Sequence, residues 1–189
     1  MLKELVAKSR TYRRFYEDEI IPTEVLKELA GLARFIPSTS NSQALRFRLC
    51  NTPGENEAVF ESLGWAGALP DWEGPEKGER PSAYIIILCD LSIGKNKLYD
   101  DGIAAQTIML GAAEKGYGGC ILANVKRSHL AQALHIDPAH YSIDLVLALG
   151  KPKEEVVIVP VKENGDVRYY RDENQVHYVP KRTIEELIV

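Results

Sequence analysis

Ser9-Arg10-Thr11-Tyr12-Arg13-Arg14-Phe15 crowds three guanidinium groups and two aliphatic hydroxyls into seven residues, and Pro37-Ser38-Thr39-Ser40-Asn41-Ser42-Gln43 follows it as a run of hydrogen-bonding side chains. The first stretch reads as an anion cradle. The second presents paired donors and acceptors that suit the edge of a pyrimidine-like ring. Together they point to a phosphate-bearing cofactor with a polar heterocycle. Each also has a plainer reading. A charge run is commonly a solvated extended segment, and Ser/Thr/Asn loops commonly cap their own backbone.

The rest of the chain supplies the frame for these stretches. Leu2, Leu5 and Val6 share one helical face, so a short helix opens the chain. Pro22 and Thr23 start an amphipathic helix carried by Val25, Leu26, Leu29, Leu32 and Ala33, which runs to about Phe35 and is stopped by Pro37. Phe47–Cys50 begins a strand, and Glu55–Leu63 is expected to be a short helix. Residues 64–81 carry Gly64, Gly67, Pro70, Gly74, Pro75, Gly78 and Pro81, with Trp65 and Trp72 among them. A long irregular stretch of this kind is either a lid or a loop pinned to the body by its tryptophans. Tyr84-Ile85-Ile86-Ile87-Leu88-Cys89 is continuously apolar and reads as a strand buried on both faces. Leu98–Lys115 is a long helix, apolar on most sides, suited to a core or to a second subunit, and Gly116-Tyr117-Gly118-Gly119 ends it. Cys120–Ala123 is a short strand, Ser128–Leu134 a helix and Ile143–Gly150 a second buried strand. Val156–Val161 and Val167–Arg171 flank Asn164-Gly165, which predicts a hairpin. Thr183-Ile184-Glu185-Glu186 has capping-box spacing, so a last helix is expected there, and Lys181 and Arg182 just ahead of its start read either as a further anion site or, more plainly, as a solvated basic pair.

Composition narrows the function. The 189 residues, read as a single domain, carry a net charge of −4, which argues against nucleic acid or an anionic membrane as partner. No apolar run approaches a membrane span, and the charged start is no signal peptide. Cys50, Cys89 and Cys120 are odd in number and lie in apolar surroundings, so buried free thiols in a reducing cytoplasm are expected. His129, His135, His140 and His177 have no spacing that suggests a triad or a metal, and there is no GxSxG, P-loop or HExxH.

Four stretches, taken in order, resemble one family, the FMN-dependent nitroreductases. Ser9–Phe15 is similar to its R-x-S/T-x-R/K-x-F opening, and Pro37–Gln43 to its P-S-x-x-N-x-Q loop. Asp101–Gln106 followed by Gly116–Gly119 resembles its central helix and glycine exit, and Leu149-Gly150-Lys151-Pro152 its G-x-P strand end. The resemblance implies an α+β fold, with a central, mainly antiparallel sheet surrounded by helices, in an intertwined homodimer with FMN at the subunit interface. It implies that Arg10 and Thr11 hold the phosphate and ribityl chain and that Arg13 lies near the N1/O2 edge of the flavin. Pro37, Ser38, Thr39, Asn41 and Gln43 would reach the flavin from the partner. Ile121, Leu122 and Ala123 would run beside the ring, and Lys181 and Arg182 would meet the phosphate.

The implied activity is transfer of electrons from NADH or NADPH to a small oxidised acceptor, a nitroaromatic, quinone or similar, by a ping-pong cycle. The flavin carries that chemistry, so no catalytic acid or base is assigned. Departures from the family pattern keep two other readings open. Ala44-Leu45 stands where the family often has Pro-Trp, and the segment between Phe47 and Pro81 is short. A flavin-binding module without turnover is the alternative, and an interaction protein using the Trp65/Trp72 loop is a third.

Overall fold

The computed structural model describes residues 1–67, 69, 71–94 and 99–189. The start expected for the long helix at Leu98, and Pro70 of the irregular loop, lie outside the described residues. The strands are β1 (Phe15–Tyr16), β2 (Leu45–Cys50), β3 (Ala83–Asp90), β4 (Gly118–Leu122), β5 (Tyr141–Pro152), β6 (Val156–Pro160), β7 (Tyr170–Arg171) and β8 (His177–Lys181). The helices are α1 (Leu2–Lys8), α2 (Thr23–Gly31), α3 (Pro53–Glu61), α4 (Asp100–Glu114) and α5 (Arg127–Ala133).

β5 organises the main sheet. One of its edges pairs with β3, which in turn pairs with β2. Its other edge carries β4 and β1 end to end, through Gly118↔Gly150 to Leu122↔Val146 and then Tyr16↔Lys151 and Phe15↔Pro152. Every one of these pairings is antiparallel, as expected for this fold class. β3 shows why its run had to be apolar throughout. Tyr84, Ile86 and Leu88 pack in one core with α3 and α5, while Ala83, Ile85 and Ile87 pack in a second core with α2 and α4. Helices therefore cover both faces of the sheet.

Two local expectations are corrected. The runs flanking Asn164-Gly165 do not form a hairpin. The turn itself forms, with Gly165 at φ 76° and its N–H donating to the Lys162 carbonyl at 2.8 Å. However, β8 lies between the two runs, pairing with β6 in parallel and with β7 antiparallel. A valine-rich run does not declare its partner. The last helix is also absent. Thr183 and Glu186 make the reciprocal capping-box bonds, at 2.9 and 3.4 Å. Beyond those bonds the chain closes a single turn, with Leu187 N–H donating to the Ile184 carbonyl at 3.1 Å, and no helical ladder follows.

The irregular segment is anchored at several points. The Trp65 ring lies 5.7 Å from that of Phe60, and the Arg171 guanidinium sits 4.4 Å from the Trp72 ring centroid. Glu79 binds Arg14 in a two-bond ion pair and Lys153 at 2.9 Å. The Arg14 hydrogen bond, opposed by some burial and helped by Lys153, holds the Glu79 carboxyl down at about 2. Its stabilising contribution is full above the ordinary carboxyl range, near pH 4.3, and is lost as pH falls toward 2. Tryptophan fluorescence followed from pH 6 to pH 2 is expected to change through this window, and the part due to Glu79 should vanish in Glu79→Gln. An identical profile in the variant would show that this anchor does not govern the loop.

Candidate functional site

The arginine stretch is extended backbone pressed onto the edge of the main sheet. Tyr12 N–H donates to the Gly119 carbonyl at 2.9 Å, and Thr11 bridges Gly119. The glycines make this approach possible. A Cβ on Gly118 would collide with the Tyr12 ring, one on Gly119 with the Ala148 carbonyl, and one on Gly150 with Phe15. Phe15, fully buried, pins the far end of the stretch.

A buried carboxylate holds its middle. The Glu154 side chain is fully buried, and its Oε1 accepts the N–H groups of both Arg13 and Arg14. Its Oε2 accepts from Arg171 Nη2 at 3.0 Å and lies 3.6 Å from His177 Nδ1. Burial pushes the Glu154 carboxyl up, but His177, the Arg13 N–H and Arg171 outweigh that and leave it below the usual range.

The three arginines then diverge. Arg14 is committed to Glu79. Arg10 donates from Nη2 to the Val6 carbonyl at 2.6 Å, and Arg13 lies over the Tyr169 ring, 4.8 Å from its centroid. Among the described residues Arg10 and Arg13 each keep a buried Nε–H without an acceptor. Buried donors are almost always paired in native structures, so two unpaired guanidinium N–H groups in one short stretch fit an anionic or acceptor-rich guest.

The polar loop 37–43 is strained and braced. Ser40, Asn41 and Gln43 adopt φ of 52°, 53° and 53°, the left-handed region that residues with a Cβ seldom enter. Asp100, 2% exposed in the first turn of α4, accepts from Thr39 N–H at 3.0 Å and Thr39 Oγ1 at 2.9 Å. Ser38 Oγ accepts the Gln43 N–H at 3.2 Å, and Gln43 Nε2 donates to the Asn41 carbonyl at 3.3 Å. Ser38, Asn41 and Gln43 line a cavity of about 420 Å³ with Arg34, Arg46 and an apolar floor that includes Ile36 and Phe47. Pro37, between the lining residues Ile36 and Ser38, is itself exposed. Strain maintained in this way by a buried brace suggests a shape kept for use.

Asp100→Ala is expected to leave two Thr39 donors without their acceptor, costing about 1–3 kcal/mol. Urea unfolding measures that loss, and hydrogen exchange at residues 38–43 should speed up by more than it does across β3. Uniform acceleration would place the effect on global stability and not on the loop.

The remaining expected site residues lie as follows. Ile121 and Ala123 face outward on and just after β4, while the Leu122 side chain is in the α3/α5 core. Lys181 ends β8, and Arg182 pairs with Glu186 at 3.2 Å; both are exposed. The protomer brings Thr11 and Tyr12 against Gly118 and Gly119, at the start of the strand that carries Ile121 and Leu122. Among the described residues no hydrogen bond or ion pair joins that group to 37–43 or to 181–182. Burial pushes the Cys120 thiol up to about 11 and the Cys50 thiol up to about 12, so neither is a nucleophile at neutral pH. Among the described residues no group of His, Cys, Asp and Glu could hold a metal ion, and no helix is long and apolar enough to cross a membrane.

The sequence reading missed Glu154, Arg171, Tyr169 and Asp100. Glu154 stands in Lys153-Glu154-Glu155 and Asp100 in Tyr99-Asp100-Asp101, contexts that read as surface charge and as first-turn helix acid. Nothing in the linear order marks them as buried.

Comparison with known proteins agrees with the resemblance. Residues 95–151 match the family model described as the nitroreductase family. A structure from Desulfovibrio desulfuricans assigned as a nitroreductase, in complex with FMN, superposes with a TM-score of 0.71 at 20% identity, covering 100% of this chain and 95% of that one. A nitroreductase family protein from Streptococcus pneumoniae TIGR4 gives 0.66 at 15% identity, covering 82% and 92%. An FMN-dependent nitroreductase from Clostridium difficile R20291 gives 0.61 at 20% identity, covering 80% and 87%. At these identities the likeness establishes the fold: this chain has the nitroreductase fold.

Proposed function

We propose that this chain, built on the nitroreductase fold and matching the family model over residues 95–151, is an FMN-dependent oxidoreductase. It takes electrons from NADH or NADPH and passes them to a small oxidised acceptor, a nitroaromatic, quinone or similar, in a ping-pong cycle. The observation that carries this is the pair of buried, unpaired Nε–H groups of Arg10 and Arg13 on a strand clamped against Gly119. Bound FMN supplies the electron-transfer chemistry.

The protein's own residues bind and tune the cofactor. Arg10 and Thr11 hold the phosphate and ribityl chain, and Arg13 holds the N1/O2 edge. Ile121, Leu122 and Ala123 line the ring. Pro37, Ser38, Thr39, Asn41 and Gln43, and the basic pair Lys181 and Arg182, are contributed across a homodimer interface. That assignment is consistent with the lack, among the described residues, of any hydrogen bond or ion pair joining these groups within one protomer. It is also supported by apolar side chains left exposed on α1 and α4 and beside them, Leu2 at 71%, Phe35 at 81%, Tyr99 at 76% and Ile103 at 38%, which a partner would cover. We take residues 1–189 as one domain, with residues 64–81 as an anchored loop at its margin, and its free thiols suit the cytoplasm.

The test is an absorbance spectrum of the purified, FMN-loaded protein before and after anaerobic NADH and then NADPH. Bleaching that reverses on adding an acceptor is expected. Flavin that binds but resists both donors would leave a binding module, and protein that refuses FMN would overturn the reading.

A further inference from the structure

A second cavity, of about 330 Å³, opens among the start of α3, the start of β3 and the end of the irregular segment. None of the residues assigned above to the cofactor lines it. Four of its lining residues each keep one buried polar atom without a partner among the described residues: Asn56 Oδ1, Arg80 Nε, Ser82 Oγ and the Tyr84 hydroxyl. Tyr84 is fully buried and Ser82 is 3% exposed.

These atoms are held in place by their neighbours. Asn56 Nδ2 donates to the Ser82 carbonyl at 2.9 Å, which fixes the amide and leaves its oxygen unpaired. Arg80 Nη1 reaches both oxygens of Glu57, at 3.0 and 2.9 Å, and its guanidinium lies 4.0 Å from the Phe60 ring centroid, leaving Nε. Buried polar groups are seldom left unsatisfied, so four around one cavity call for an occupant.

The chemistry of that occupant follows from charge and from donor count. Arg80 neutralises Glu57, and Glu17 Oε2 accepts the N–H groups of Gly78 and Arg80. An anion would meet the two carboxylates, and a cation would meet Arg80 and Lys77. One fixed donor, one fixed acceptor and two hydroxyls that do both match the hydroxyl groups of a neutral ligand. Phe60, Pro53 and Pro81 offer it an apolar wall. The volume lies at the small end of ligand pockets, about 300–1,000 Å³. We propose that this cavity is a binding site for a small neutral polyhydroxylated molecule of pentose or hexose size, distinct from the flavin site.

Calorimetric titration of D-ribose and of D-glucose into the full chain tests it, with sodium acetate and methylammonium chloride as charged controls. Saturable binding of at least one sugar at millimolar concentration is expected, with neither control binding. Affinity should fall tenfold or more in Tyr84→Phe and in Ser82→Ala. Tyr84→Phe removes a hydroxyl that has no protein partner, so its melting temperature should stay level or rise, and loss of binding would not reflect unfolding. Trp65, beside Phe60, gives a second readout through its fluorescence. No saturation by either sugar would overturn the proposal, since the polar atoms would then serve only water. Equal binding by wild type and Tyr84→Phe would overturn it as well.

Discussion

Glu154→Ala is expected to lower stability by about 3–5 kcal/mol, the cost of stranding a buried charge. The variant leaves the Arg171 guanidinium without its carboxylate and two backbone N–H groups, those of Arg13 and Arg14, without an acceptor. The Arg171 side chain is 10% exposed, so water cannot take over the lost bond. For a chain of this length the melting temperature should drop by roughly 10 °C. Glu154→Gln keeps a carbonyl oxygen for the two N–H groups and loses the charge facing Arg171, so its loss should be smaller. Urea unfolding of both variants measures the difference. A Glu154→Ala protein as stable as wild type would mean that the small sheet does not depend on this carboxylate to dock. The expected effect is large because three parts of the chain converge on one side chain: the arginine stretch, β7 with Arg171, and β8 with His177.

That convergence also marks where sequence reasoning reaches and where it stops. Patterns that depend on a residue's own neighbours were legible. The apolar run Tyr84–Cys89 announced a strand buried on both faces, and β3 sends alternate side chains into two cores. Helix-breaking Pro37 stands where α2 and the 3₁₀ turn that extends it over Leu32–Phe35 come to an end, and Gly116 where α4 ends. The contact between the arginine stretch and the β4 glycines, remote in sequence, was not legible, and only the structure lays them side by side. Long-range choices were not legible. Val156–Pro160 could pair with any extended partner, and its neighbour proved to be His177–Lys181 and not the run across the Asn164-Gly165 turn. Burial of acids was equally hidden, because Glu154 and Asp100 become interior only once separate segments fold over them. The capping box at Thr183 shows the opposite case: its local bonds form as expected, yet they close only a single turn, because a cap stabilises a helix start without supplying the packing that carries a helix onward.

Arg13→Ala should separate cofactor binding from folding. The backbone N–H of residue 13 still reaches Glu154, so what the fold loses is the guanidinium over Tyr169, about 0.5–1 kcal/mol. Under the proposed function, the same change removes a charge-assisted donor to FMN, worth about 1.5–3 kcal/mol. FMN affinity should therefore weaken roughly 10- to 100-fold. The reduced flavin carries negative charge at N1/O2, and a cation fixed there favours it over the oxidised form. Losing about 1.4 kcal/mol of that preference lowers a two-electron potential by about 30 mV. Fluorescence titration with FMN gives the affinity, and spectroelectrochemistry of the saturated variant gives the potential. Arg13→Lys keeps the charge without the planar fork, so it should recover more of the potential than of the affinity. Weaker binding with an unchanged potential would put Arg13 on the phosphate and not on the ring. Both quantities unchanged would remove it from the site, leaving its unpaired Nε without a role.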